Sequence, residues 1–79
     1  MNNVNEHALN KIELYLDEAK ITKLKKIIKE LYEAKSIESE SIEEFLKLNV
    51  FIVFYEYNTN KQSLNNFYKR NKELYKQNQ

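Results

Sequence analysis

The 79-residue chain has no glycine, no proline, no cysteine and no tryptophan. Without cysteine there is no disulfide, thiolate metal site or cysteine nucleophile, and a reducing compartment is allowed. Without glycine, tight hairpins lose the residue that supplies positive φ, and phosphate-cradling loops lose the position where backbone approaches a ligand unhindered by a Cβ. Most sheet architectures and both common nucleotide-binding loops are thereby disfavoured, and helices joined by short polar loops remain. The opening MNNVNEHALNK lacks the basic start and apolar run of a signal peptide, so a cytoplasmic protein is expected.

Against these absences, one stretch stands out. Residues 46–57 read LKLNVFIVFYEY, the one place where apolar residues run almost without pause. Val, Phe, Ile and Tyr favour strands, but a strand needs a partner and no second segment of that composition exists. A membrane span needs about 20 apolar residues, and Lys47, Asn49 and Glu56 interrupt this run. The segment reads as a helix apolar on all sides, to be enclosed as the centre of a small core. Dimerisation is a second way to complete so apolar a helix, since a core of this size is marginal.

Four helices are predicted. The first begins near Asn3 or Asn5 and carries Val4, Ala8, Ile12, Tyr15, Leu16 and Ala19 on one face. The stripe then changes phase, to Ile21, Leu24, Ile27, Ile28 and Leu31, which predicts a break near Ala19 to Thr22. Thr22 is the expected cap of the second helix, although Lys23, Lys25 and Lys26 would then put the wrong charge at its amino end. That helix should end near Lys35. Ser41 to Glu44 match the capping box, so the third helix starts at Ile42 and gives out at Asn58, Thr59 and Asn60. Ser63 is the expected cap of the fourth, with Leu64, Phe67, Tyr68, Leu74 and Tyr75 as its stripe.

Charge supports this division: residues 1–19 carry −3, 20–35 carry +4, 36–60 carry −4 and 61–79 carry +4, for a total of +1. Opposite signs then fall on every neighbouring pair of an antiparallel up-down four-helix bundle, and one all-α domain over residues 1–79 is the expected fold.

Little in the chain suggests a reaction centre. His7 and Asp17 are the sole histidine and aspartate, and ten residues apart on one helix they would stand about 15 Å from each other. Ser36, Ser39, Ser41 and Ser63 fall at loop or cap positions. The pairs Glu13 with Asp17 and Glu40 with Glu44 read as solvated surface, since a bundle di-metal site wants a Glu-x-x-His motif. No enzyme, cofactor, metal or small-molecule substrate is expected. Lys25 with Lys29, and Lys69, Lys72 and Lys76, make short basic stripes. Asn65, Asn66, Lys69 and Arg70 would suit a recognition helix, so a small DNA-binding regulator of phage or plasmid type is an alternative, as is an inhibitor of a host protein. Of the six tyrosines, Tyr57, Tyr68 and Tyr75 near the last hairpin are the best placed to anchor a protein partner.

The runs NVFIVFYEYNTNK and FYKRNKELYK, with NKIELYLDEA and LKKIIKELYEAK upstream, carry a resemblance. In them the chain resembles the enterocin A-type (class IIa) bacteriocin immunity proteins, although no proline precedes the third helix here. The resemblance implies a cytosolic antiparallel four-helix bundle that protects a bacteriocin producer from its own peptide. It implies action with the membrane sugar-permease receptor that the bacteriocin seizes, and specificity mainly in the carboxyl-terminal half. Carried over, it points to Asn58, Thr59, Asn60 and Lys61 in the turn, and to Tyr68, Arg70 and Tyr75 in the last helix. The expected function is therefore protein binding, with immunity as its most concrete form.

Overall fold

A computed structural model describes residues 7–78 of the chain. Three helices form among these residues, α1 (Glu18–Glu33), α2 (Ile42–Thr59) and α3 (Lys61–Gln77), and no strand. The apolar run is helical, as expected, and lies in the middle of α2. The expected first helix is not formed over residues 8–17, which have no regular secondary structure; its earlier part lies outside the described residues. A short amphipathic segment is marginal as a helix unless something packs on its apolar face. Among the described residues nothing does: Leu9 is 98% exposed and Ile12, Leu14 and Tyr15 are exposed as well.

Helix α1 corrects the expected boundary. Its cap is Asp17, not Thr22, and the Asp17 carboxylate accepts from the Lys20 N–H at 2.9 Å. An acidic cap followed by Glu18 suits the positive pole of the helix, and Lys23, Lys25 and Lys26 fall beyond the first turn, where their charge costs little. At the other end the chain closes a Schellman turn without glycine. Lys35 takes φ 62°, the Ser36 N–H donates to the Leu31 carbonyl at 2.9 Å, and the Lys35 N–H donates to Tyr32 at 3.0 Å.

The start of α2 falls at Ile42, as the sequence predicts, with Ser41 Oγ accepting from the Glu44 N–H at 3.2 Å. The reciprocal arm differs from a capping box. The Ser41 N–H donates to Ser39 Oγ at 3.0 Å, and Glu44 turns toward Lys47 instead. Helix α3 starts two residues before Ser63, because Asn60 caps it by accepting from the Ser63 N–H. Asn60 is also the whole linker between α2 and α3.

Packing is centred on α2, which meets both α1 and α3, while no contact joins α1 to α3. Ile28 is the one fully buried side chain among the described residues, at 1% exposed. Ile21, Leu24 and Leu31 share its face at steps of three and four, and with Ile37, Ile42, Phe45, Val53 and Leu64 are half-buried. The radius of gyration is 15.8 Å, against about 12 Å for a compact domain of this length. The closed four-helix bundle is thus not formed by the described residues. Nor are the helices bridged by charge: every ion pair among them joins residues no more than four apart, as Lys20 with Asp17 and Lys47 with Glu43.

The expectation that α2 would be enclosed on all sides also fails. Ile42, Phe45, Val53 and Glu56 face its neighbours, but Val50, Phe51, Phe54 and Tyr55 lie on the far side in water. Two partner helices cover only about half of a cylinder, and α2 is apolar around more than that.

Candidate partner-binding surface

The α2–α3 hairpin brings the candidate residues close together in sequence but gives them different tasks. Asn58 and Thr59 form the last turn of α2 and Asn60 the linker. The Thr59 hydroxyl donates to the Tyr55 carbonyl at 2.8 Å, and the Asn60 N–H donates to Glu56 at 2.7 Å while its side chain caps α3. Both side chains therefore satisfy backbone at a helix junction.

Lys61 and Tyr68 lie in a different setting. With Tyr57, Gln62, Leu64 and Asn65 they line an open groove of about 580 Å³. The Lys61 ammonium sits 4.9 Å from the Tyr57 ring centroid, a cation–π contact that holds the lysine stem across the end of α2. Phe67 and Tyr68 meet edge to face, with centroids 5.4 Å apart. A second groove of about 310 Å³ continues between the helices, lined by Ile52, Val53 and Glu56 of α2 and by Leu64, Phe67 and Tyr68 of α3. Tyr68 borders both, so a side chain entering either one meets its ring.

Tyr75 is exposed two turns beyond Tyr68, on the same side of α3 by helical spacing. Arg70 is not: it falls on the opposite side, its guanidinium 6.0 Å from the Phe67 ring centroid. Of the seven candidates, then, the structure joins Lys61 and Tyr68 in one groove and puts Tyr75 in line with them. Gln62 and Leu64 were missed. The spacing of Lys61, Leu64, Asn65 and Tyr68 was the available signal, hidden by the expected start of the helix at Ser63.

The face proposed for reading bases fares differently. Asn65 lines the groove, and the Asn66 side chain accepts from Gln62 at 3.1 Å. Lys69 and Arg70 share their side of α3 with Glu73, which pairs with Lys76.

Acidic groups at the other end of the chain are engaged locally. The Tyr15 hydroxyl donates to Glu13, which Lys11 also approaches at 3.0 Å; these contacts hold the Glu13 carboxyl below its ordinary range and push the Tyr15 phenol up. Asp17 is held low by the Lys20 backbone N–H first and the Lys20 ammonium second. Lys47 is pushed up by Glu43 first and then Glu44. Among the described residues, no three His, Cys, Asp or Glu side chains gather as metal ligands, and no helix is long and apolar enough to cross a membrane.

No family model matches the chain, and no curated protein or solved structure matches it either.

Proposed function

We propose that this is a non-enzymatic protein-binding protein that docks its partner on the α2–α3 hairpin, and that its concrete role is bacteriocin immunity. One observation carries the reading. Tyr57, Lys61, Asn65 and Tyr68 line an open groove at the hairpin where the resemblance to enterocin A-type immunity proteins locates specificity. Tyrosine rings with polar side chains around them are a composition that anchors protein contacts. The partner is a membrane sugar-permease receptor engaged by the bacteriocin, met from the cytoplasmic side.

Expression in a bacteriocin-sensitive strain, followed by challenge with class IIa peptides, tests the proposal. Survival against at least one peptide is expected, and Tyr68→Ala should weaken it. Killing unchanged by every peptide tried would remove the immunity reading. The basic excess of α3 favours a second reading, DNA binding; it requires a gel shift at low salt that fades steeply as salt rises.

A further inference from the structure

Asn60 alone separates α2 from α3, at φ −154° and ψ 65°. Helical bonding nevertheless reaches it from both sides. The Asn60 N–H donates to the Glu56 carbonyl at 2.7 Å, and the Leu64 N–H donates to the Asn60 carbonyl at 3.2 Å, both at helical spacing. Between them, the bonds that Lys61, Gln62 and Ser63 would make to Tyr57, Asn58 and Thr59 are missing, and the Asn60 side chain takes the Ser63 N–H instead. Nothing in the local sequence forbids a helix here, since the junction has neither glycine nor proline.

The two helices are also in phase. Their half-buried residues are Ile42, Phe45, Val53, Glu56, Leu64 and Asn71. On a helix running unbroken through Asn60, all of these share one face, within about 100° of arc at about 3.6 residues per turn. A straight helix folded at a single residue towards that face has this relation. From the bonding and the phase together we infer that Asn60 is a hinge: α2 and α3 straighten into one helix, and the straightened chain exchanges α3 with a second copy, as a domain-swapped dimer.

Exchange leaves the packing intact. Once straight, α3 cannot reach its own α2, but an antiparallel second copy with the two-fold axis at Asn60 restores what the hairpin had. Leu64 and Phe67 then meet Val53 and Glu56 of the second copy, the residues that share a groove with them in the hairpin. Each chain gains the missing backbone bonds and gives up the Asn60 cap. Tyr57 and Lys61, four apart, stay adjacent in either form. Against these gains stands the freedom lost on association, so exchange is favoured by concentration. Short linkers are the kind that invite it.

Asn60→Ala and Asn60→Gln each remove the cap and suit a helix. Both should dimerise about tenfold or more tightly than the native chain in sedimentation up to about 1 mM. Inserting Gly-Ser-Gly after position 60 of either variant should return it to one copy, because a longer loop lets α3 fold back on its own chain.

Spin labels read the hinge itself, in a chain that has no thiol of its own. Lys47→Cys with Lys72→Cys puts one nitroxide on an exposed position of each helix. An unbroken helix sets these positions about 37 Å apart at about 1.5 Å per residue; in the hairpin, where α3 folds back over α2, they stand closer. With labelled chains diluted into unlabelled ones, so that only the distance within one chain is read, the dimer should show the long distance. Mass of one copy for both variants, or dimers no tighter than the native chain's, would overturn the hinge. So would a dimer with only the shorter distance, or one that survives the insertion.

Discussion

Lys35 and Asn60 do at single positions what glycine and proline do elsewhere, and they hold the helices to their bounds. Lys35 adopts φ 62° at the end of α1, a conformation that costs a residue with a Cβ about 1 kcal/mol. Lys35→Gly should therefore stabilise the protein by about 0.5–1 kcal/mol in urea denaturation, its added chain entropy offsetting part of the gain. Asn60→Ala removes the cap of α3 at the residue that also ends α2, and a loss of about 1 kcal/mol is expected. Asp17 predicts a pH effect. Its pKa is lowered in the folded chain, so its contribution is present above the unfolded carboxyl pKa, about 3.9, and is lost as pH falls through the folded value. Helicity of α1 should decline on acidification through that window, and Asp17→Asn should remove that part of the pH response.

Helices were legible in the sequence where local chemistry marks them. Ser41 announced Ile42 because a serine three residues before an acid satisfies a backbone donor whatever the tertiary context. The Ile21, Leu24, Ile28 and Leu31 stripe was equally plain, and Ile28 became the buried residue. Ile28→Ala should cost about 3 kcal/mol, a large share of the few kcal/mol such a chain can have, and should show as a lowered urea midpoint. Two starts were misread. Asp17 went unseen as a cap because the upstream apolar spacing carries a helix pattern through it, and Asn60 because Asn58 to Asn60 read as a loop. The hairpin groove was half legible: Tyr57 and Tyr68 stand out by type, whereas Lys61 and Arg70 came with the resemblance, and Arg70 lies across the helix. Enclosure of α2 was the larger misreading. Glu43, Glu44, Lys47 and Asn58 all fall on the side of Phe51 and Phe54, a sign in the sequence that this side meets water or a polar-rimmed partner.

At the scale of the molecule, α2 is a hub with α1 and α3 on one side and an exposed apolar face on the other. The groove lined by Tyr57, Lys61 and Tyr68 lies at one end of the hub, near the Asn60 linker.

Native-state hydrogen exchange tests the hub most directly. Amides in residues 46–57 should be the slowest to exchange, those of α1 and α3 intermediate, and those of residues 8–17 close to the unstructured rate. Strong protection across residues 8–17, or exchange in α2 faster than in both of its neighbours, would contradict a fold built on that helix.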